Sequence, residues 1–293
     1  MIETIQLLSI FVLLLLGVAF FSLFERKVLS LMQYRKGPNK VGVGGFFQPF
    51  ADALKLLLKE EGSPFHSVAL VYYFPPIFLF FVSCLFWVSS PFFFGLISMN
   101  QSLLVVMVVF SLSVYSIIFS GWFSNSKYAI IGSCRALAQS ISYEIGLSTL
   151  LVVLCVIFSS SSLLFFQQIQ NLVFLVWPLL GFFLFFFLTF LAELNRSPFD
   201  LAEGESELVS GYSVEYGGLS YTLIFLGENM ALLWSSALLG FLFSYFFTGF
   251  FVFIMVWIRA SEPRIRFDKL MFFFWADLLP LILGASLLKL AIL

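Results

Sequence analysis

The sequence has little charge for its length. Of its 293 residues, 11% are charged and 61% are apolar, whereas a soluble domain has about 25% charged and about 45–50% apolar residues. This composition excludes an ordinary soluble globular protein and makes a polytopic membrane protein the default class. The 15 basic and 16 acidic residues nearly cancel. The chain therefore has neither the basic field that holds nucleic acid nor the acidic excess of a disordered segment.

Cysteine and histidine are also scarce. The three cysteines, Cys84, Cys134 and Cys155, are tens of residues apart, and His66 is the single histidine. None of them has the C-x-x-C spacing that zinc sites and cluster-binding motifs use. We therefore expect no disulfide framework, no metal site and no cysteine-ligated cluster, and we interpret the cysteines as small apolar core residues.

The amino terminus lacks the pattern of a cleaved targeting segment. Glu3 stands where a secretory signal would be basic, and the apolar stretch after it has no small-residue cleavage site. No Arg- and Ser-rich transit segment precedes it, so we expect synthesis in the compartment that uses the chain. The 42 phenylalanines exceed what packing requires. A thymine-rich coding strand, as in a mitochondrial gene, would produce such an excess.

Charge-free runs predict eight membrane-spanning helices. A span needs about 20 apolar residues, because each residue rises about 1.5 Å and the hydrocarbon is about 30 Å thick. Three longer runs must each fold back, and in the run 216–258 we predict the turn near Gly240. The chain is thus one all-α membrane domain, residues 1–293, with predicted spans at about 4–24, 68–90, 103–123, 134–158, 172–192, 217–239, 241–258 and 270–290.

Basic residues predict the orientation of these spans. Fourteen of the 15 fall in four connections on one side of the bundle, and Lys289 is the exception. The intervening connections, near 91–102, 159–171 and 240–246, hold no charge. The positive-inside rule therefore puts the four charged loops on the inner side and both termini on the opposite side.

The first charged loop contains an amphipathic segment at about 46–59. Phe47 and Phe50 begin an apolar face at helical spacing, and Asp52 falls on the polar face. This pattern predicts a helix that lies in the membrane interface rather than crossing it. Two roles remain open: the helix seals the bundle, or it admits an apolar substrate from the membrane edge.

The third charged loop, residues 193–216, is strongly acidic. Arg196 is its one basic residue, against the carboxylates Glu193, Asp200, Glu203, Glu205, Glu207 and Glu215. Like charges and desolvation both raise carboxyl pKa values, so carboxylates crowded beside hydrocarbon should titrate together and hold protons near neutral pH. A solvated loop without a function is the alternative.

Three acidic residues stand inside predicted spans. Glu144 lies nine residues beyond Arg135, about 14 Å along a helix, and Glu228 is near the middle of its span. A charge at this depth is costly unless it is paired or hydrated, which favours a function over a neutral glutamate that only specifies packing. We interpret Asp277 as an interfacial cap or as a partner of Arg264, Arg266 or Lys269.

The charged loops resemble those of subunit 1 of mitochondrial NADH:ubiquinone oxidoreductase, respiratory complex I, known in bacteria as the H subunit. The matching stretches are ERKVLSLMQYRKGPNKVG from Glu25, QPFADALKLLLKE from Gln48, RALAQSISYE from Arg135, AELNRSPFDLAEGESELVSGYSVEY from Ala192 and WIRASEPRIRFDKL from Trp257. They follow the family order, and the acidic loop is close to diagnostic.

The resemblance implies a core membrane subunit that holds no redox centre. It would form the membrane end of the ubiquinone chamber in a proton-translocating enzyme, with ubiquinone as substrate. FMN and iron–sulfur clusters would lie in partner subunits. The partners would be the quinone-site subunits of the peripheral arm, neighbouring membrane-arm subunits and the lipid bilayer. The implied location is the mitochondrial inner membrane, with charged loops on the matrix side and both termini on the intermembrane-space side.

The resemblance also implies roles for individual residues. A carboxylate route that couples quinone reduction to proton pumping would comprise Asp52, Glu144, Glu193, Asp200, Glu203, Glu205, Glu207, Glu215 and Glu228. The quinone chamber and its loops would be lined or held by Arg26, Arg35, Phe47, Phe50, Arg135, Arg196, Arg264 and Arg266. Relatives often carry a lysine where this chain has Ala276-Asp277, so no role passes to Asp277.

Three other functions compete with this interpretation. The membrane anchor of a membrane-bound hydrogenase would keep many carboxylates, but the RKGPN stretch and the long acidic loop argue against it. A self-sufficient proton-coupled transporter would show inverted internal repeats, and the two halves of the chain show no convincing repeat. A purely structural anchor would leave Glu144 and Glu228 as an unexplained cost.

Overall fold

The computed structural model describes residues 2–65, 67, 69–91, 100–170, 175–202, 204 and 211–292, without the side chains of 2–8, 10, 69, 70 and 289–292. Over these residues the chain is helical and has no strand, which confirms the predicted all-α class. His66, Glu203, Glu205 and Glu207 lie outside the described residues.

The described ranges contain twelve α-helices. They are α1 (Ile2–Met32), α2 (Gln48–Leu57), α3 (Ala69–Tyr72), α4 (Phe74–Val88), α5 (Ser102–Ser124), α6 (Lys127–Phe158), α7 (Leu163–Gln170), α8 (Leu180–Glu193), α9 (Gly218–Phe243), α10 (Thr248–Ser261), α11 (Phe267–Phe272) and α12 (Leu279–Ile292). A π-helical turn, Phe273–Leu278, joins α11 to α12. Single 3-10 turns occur at Val43–Gly45, Gly211–Ser213 and Tyr245–Phe247.

Several of these helices are suited to a membrane. Within the described residues, four are long and apolar enough to cross it: Ser102–Ser124, Lys127–Phe158, Gly218–Phe243 and Phe267–Leu288. Shorter apolar helices are Phe74–Val88, Leu180–Glu193 and Tyr245–Ser261, and α1, with 31 residues, contains the predicted span 4–24. The shorter helices fall below the length of about 20 residues that a span needs, so the count of eight remains a prediction.

Helix α9 occupies the centre of the bundle. It packs against α4, α10 and α1, while α5 packs between α4 and α6, and α6 reaches α8. The ring of Trp234 in α9 lies 4.7 Å from that of Phe86 in α4 and 5.7 Å from that of Phe110 in α5, measured between centroids. All three side chains are buried. Because each removes a large apolar area from solvent, these rings hold α4, α5 and α9 together.

The bundle has two unlike ends. We call one the charged end: it comprises the carboxyl ends of α1, α5, α8 and α10 and the amino ends of α6 and α9, next to the basic and acidic loops. The other, the uncharged end, comprises the opposite ends of these helices together with α7.

Helix α9 continues past the predicted turn at Gly240 and ends at Phe243, and the chain reverses over Tyr245–Phe247. A Cβ atom at Gly240 would lie 2.1 Å from Cγ2 of Thr248. The glycine therefore allows α10 to approach closely and does not form the turn.

Two further sequence-based expectations need adjustment. The predicted connection 159–171 contains α7, and α8 begins at Leu180 rather than near 172. Cys84 and Cys155 are partly buried, but Cys134 is exposed on α6 and is not a core residue.

Candidate functional site

At the charged end, Glu25 of α1 joins three elements through ion pairs. Its carboxylate contacts the guanidinium of Arg259 in α10 and lies 3.2 Å from that of Arg196, in the loop after α8. The side chains of Glu25 and Arg196 are only 10% and 15% exposed. Removing such charges from water is costly, and each opposite charge offsets part of that cost. The two pairs therefore hold Arg196 in one place.

Arg196 also reaches the middle of α9. Its Nη2 donates a hydrogen bond to Oδ1 of Asn229 over 2.7 Å, and Asn229 is completely buried. Asn229 in turn donates to the Phe225 carbonyl over 2.8 Å, which fixes the amide. The adjacent residue on α9, Glu228, accepts a hydrogen bond from the hydroxyl of buried Tyr212.

A cavity of about 80 Å³ lies where these groups meet. Its apolar wall comes from α4 and α5, and its polar lining consists of Ser83, Ser113, Glu193, Asn195, Arg196, Tyr212 and Glu228. A water molecule needs at least about 10–15 Å³ and two to four polar partners. This cavity has both the volume and the polar groups for several.

Glu193 differs from Glu25 in having no ion-pair partner among the residues that the structure describes. Within the described residues, its Oε2 atom is buried without a hydrogen-bond partner, and so is Oδ1 of Asn195. Glu144 of α6 is close enough to act on Glu193 electrostatically, and two carboxylates repel each other. Buried polar oxygens normally have partners, so these two are suited to accept hydrogen bonds from water in the cavity.

Gln139 of α6 ties the segment around this cavity to the bundle. Its buried side-chain amide donates to the carbonyl oxygens of Ala192 and Phe199 over 2.7 and 2.8 Å. One amide thus holds both flanks of the segment that carries Glu193 and Arg196. Asp200, just beyond it, lies 3.3 Å from Arg264 and acts electrostatically on Glu228.

The remaining predicted residues lie away from this cavity. Asp52 pairs with Arg26 between α1 and α2, and it accepts a hydrogen bond from Gln48 over 2.9 Å. Arg266 pairs with Asp268 on the surface, where both side chains are exposed. Arg35 is exposed near the end of α1, and Arg135 is partly buried in α6.

The amphipathic segment forms α2, and its apolar face is open. Phe47 and Phe50 are 57% and 41% exposed. The ring of Phe50 lies 6.0 Å from that of Phe20 in α1, while the polar face binds α1 through Asp52 and Arg26. Both roles considered for this helix, sealing the bundle and admitting an apolar substrate, are compatible with such a face.

The end of the acidic loop is anchored through aromatic rings. The backbone carbonyl of Glu215 accepts a hydrogen bond from the Tyr72 hydroxyl, and the rings of Tyr72 and Tyr216 stack with centroids 4.5 Å apart. The Tyr216 hydroxyl donates to the Ser120 carbonyl over 3.3 Å. Burial, and secondarily Tyr72, raises the pKa of Tyr216 above its ordinary value, so this hydroxyl stays a neutral donor.

Sequence reasoning missed several members of the site. Glu25 ends a charge-free run of 21 residues, 4–24, and a carboxylate in that position among basic residues was a usable signal. Asn229 beside Glu228, in the middle of an apolar run, was a second signal. Tyr212, Asn195 and Gln139 stand in no pattern that separates them from ordinary loop or helix residues.

The chain can be compared with known proteins over nearly its whole length. A model of the NADH dehydrogenase family matches residues 5–290. The chain is 43% identical to NADH-ubiquinone oxidoreductase chain 1 of Anopheles gambiae over 279 residues, which cover 92% of this chain and 89% of the relative. Identity to the protein of the same name is 42% over 297 residues in Strongylocentrotus purpuratus, covering 96% and 92%. It is 41% over 301 residues in Nycticebus coucang, covering 96% and 93%.

Proposed function

Because the chain belongs to the NADH dehydrogenase family, we propose that it is the chain 1 membrane subunit of a proton-translocating NADH:ubiquinone oxidoreductase. Its similarity to proteins named chain 1 of that enzyme, over about nine tenths of both lengths, supports this role. The subunit would lie in the mitochondrial inner membrane with its charged end towards the matrix. FMN and iron–sulfur clusters would belong to partner subunits, and this chain would contribute side chains to the ubiquinone chamber.

We further propose that the cavity at the charged end is the central part of the carboxylate route. The supporting observation is that Glu193, Arg196 and Glu228, from α8, the following loop and α9, line one cavity. Asp200 lies on one side of this group and acts on Glu228, while Glu144 acts on Glu193 from α6. The order Asp200, Glu228, Glu193, Glu144 would lead from the acidic loop into the bundle.

Each side chain would have a distinct task along this route. Reduction of a quinone to a quinol consumes two protons, so negative charge develops near the chamber until protons arrive. Carboxylates in a poorly solvated space respond to such a charge, because electrostatic effects are strong there. Arg196 would keep a fixed positive charge in the cavity, since Glu25 and Asn229 hold it. Tyr212 would orient Glu228 through its hydroxyl.

The quinone would be admitted near α1 and α2. The exposed rings of Phe47, just before α2, and of Phe50, in α2, offer an apolar surface for an isoprenoid tail, and Arg26 with Asp52 marks the polar boundary of that surface. Helix α2 also contacts α9, which carries Glu228. This contact supports a path from the membrane edge to the carboxylates.

The test uses the intact assembly, reconstituted in vesicles. Glu228→Gln and Glu193→Gln keep side-chain volume but remove a proton-binding group, so each should lower ubiquinone-dependent proton translocation by about tenfold or more. NADH oxidation by a water-soluble acceptor should be unchanged, because it does not need the quinone chamber. Glu262→Gln, an exposed carboxylate after α10, is the matched control.

Two results would contradict the proposal at different levels. Full proton translocation by both variants would exclude the carboxylate route through this cavity. Migration of the wild-type chain alone on a native gel, without NADH:ubiquinone activity, would exclude membership of the assembly.

A further inference from the structure

Asp277 lies near the middle of the last long apolar helix. It stands in the π-helical turn Phe273–Leu278, within the candidate span Phe267–Leu288. Ten residues separate it from Phe267, about 15 Å of helix, and its side chain is exposed. A carboxyl group thus faces outward within a helix that is long and apolar enough to cross the membrane.

Two of the three expected partners of Asp277, Arg264 and Arg266, pair with other carboxylates. Arg264 pairs with Asp200, and Arg266 pairs with Asp268. Across the described ranges, no hydrogen bond or ion pair joins Asp277 to another residue, so its interpretation as a partner of Arg264, Arg266 or Lys269 is not supported. The charge is not compensated from within this part of the chain.

The π turn fixes the outward direction of this side chain. The buried face of the helix consists of Leu270, Phe274, Leu278 and Ile282. In a regular α-helix, residues four apart drift by about 40° around the axis, and the wider π turn offsets this drift. The four apolar residues therefore stay on one face, and Asp277 stays off it.

Contacts with α6 hold this register. The ring of Phe274 lies 4.5 Å from that of Tyr143, and a Cβ atom at Gly146 would come within 3.1 Å of the Phe274 ring. Turning Asp277 inward would require Phe274 to leave this close contact.

The same helix is the least buried of the four long apolar helices within the described residues. In its most apolar stretch only 28% of the helix is buried, against 39%, 44% and 67% in the corresponding stretches of α5, α6 and α9. Phe272, Trp275 and Leu281 are exposed, and Leu281, four residues beyond Asp277, lies on the same side of the helix. Lipid tails can cover these apolar side chains, but they offer a carboxylate neither a hydrogen bond nor an opposite charge.

We propose that this surface docks a membrane-spanning helix of a neighbouring subunit, and that this helix presents a lysine or arginine to Asp277. Charges at such depth are normally paired, and a basic side chain is the complement of a carboxylate. The inference rests on the proposed function, since it requires a multisubunit assembly in the membrane. The neighbouring helix would also cover Leu281, which shares the face of Asp277.

The test compares Asp277→Lys, Asp277→Leu and Asp277→Glu in the intact assembly, with Ala276→Lys as the matched control. Ala276 is exposed at the same depth, so its lysine adds a cation there but leaves Asp277 in place. The readout is the fraction of membrane-inserted chain that migrates with the assembly on a native gel. We expect Asp277→Lys to lower this fraction by about tenfold, because two cations would face each other.

The Asp277→Leu variant distinguishes whether a helix with a basic residue or lipid covers this surface. With a basic partner, Asp277→Leu leaves that cation unpaired and lowers the assembled fraction. Asp277→Glu and Ala276→Lys largely retain the assembled fraction of wild type. If lipid covers this surface, Asp277→Leu assembles at least as well as wild type, and Asp277→Lys is no worse than Ala276→Lys. That second result would overturn the inference without affecting the proposed function, which fails only if the wild-type chain itself does not assemble.

Discussion

The middle of α9 and its uncharged end are held by different kinds of interaction. In the middle, Asn229 accepts a hydrogen bond from Arg196, which reaches it from the charged end and is in turn paired with Glu25. At the uncharged end, Gln170 of α7 donates to the Phe241 carbonyl over 2.6 Å and accepts from the Tyr245 amide over 2.9 Å. One neutral amide there satisfies two backbone groups where α9 stops.

Other contacts at the uncharged end follow the same principle. The Leu163 amide donates to the Ser102 hydroxyl over 2.8 Å, and the Leu103 amide donates to the Ser161 carbonyl over 3.1 Å. These bonds join the start of α5 to the connection before α7 without moving any charge out of water. Neutral hydrogen bonds avoid the large desolvation cost of buried ions.

Buried ion pairs and neutral hydrogen bonds differ in what they contribute to stability and to function. Buried ion pairs are poor stabilisers, because desolvation cancels much of their attraction, yet removing one partner is strongly destabilising. We infer that the charges around Glu228 serve the proposed proton route, whereas the uncharged end is built for tight connection. Substitutions that probe each end should therefore differ in what they change.

The largest effect should follow Glu25→Gln. The substitution keeps the size of the side chain but leaves Arg196 and Arg259 without their shared counter-charge. We expect a loss of about 3 kcal/mol, visible as a lower unfolding temperature of the assembly in detergent. Glu262→Gln, at an exposed position, is the control. Equal losses in both variants would show that the buried pairs are unimportant.

Gln170→Leu should cost less and should leave activity unchanged. It removes the partners of the Phe241 carbonyl and the Tyr245 amide, for an expected loss of about 2 kcal/mol. Turnover per assembled complex should equal that of wild type, because the site lies at the opposite end of α9. Gln168→Leu, at an exposed position on the same helix, should change neither stability nor turnover. Reduced turnover would show that the two ends are coupled.

Tyr72→Phe should have a smaller effect still. It removes the hydrogen bond to the Glu215 carbonyl but keeps the ring stacked on Tyr216. A loss of about 1 kcal/mol is expected in the same thermal measurement. Tyr73→Phe, at the neighbouring and less buried ring, is the control. No change in Tyr72→Phe would mean that stacking alone anchors the acidic loop.

Glu193→Gln should change stability least, by less than about 1 kcal/mol. Its Oε2 atom has no hydrogen-bond partner among the described residues, and the amide removes repulsion with Glu144. Since Glu25→Gln makes the same chemical change, the pair of variants compares a compensated with an uncompensated carboxylate. A loss as large as that of Glu25→Gln would refute the distinction.

Part of the site was predictable because its signals are local. Carboxylates inside apolar runs, Glu144 and Glu228, and the acidic loop from Glu193 onwards stand out against their neighbours in the sequence. Glu25 has a local signal in its place after an apolar run, but its pairing with Arg259, 234 positions away, cannot be read from the sequence. Gln139 was missed for the same reason, since its partners are the carbonyls of Ala192 and Phe199.

Hydropathy alone predicts an all-helical membrane chain, and the distribution of charge predicts that most of its basic residues lie on one side, because both properties are read from consecutive residues. The folded chain is needed to know that α9 passes Gly240, that Arg196 lies between Glu25 and Asn229, and that Asp277 faces outward. These outcomes depend on how distant side chains fit together. Close packing selects one arrangement among many that share the same pattern of apolar and charged residues.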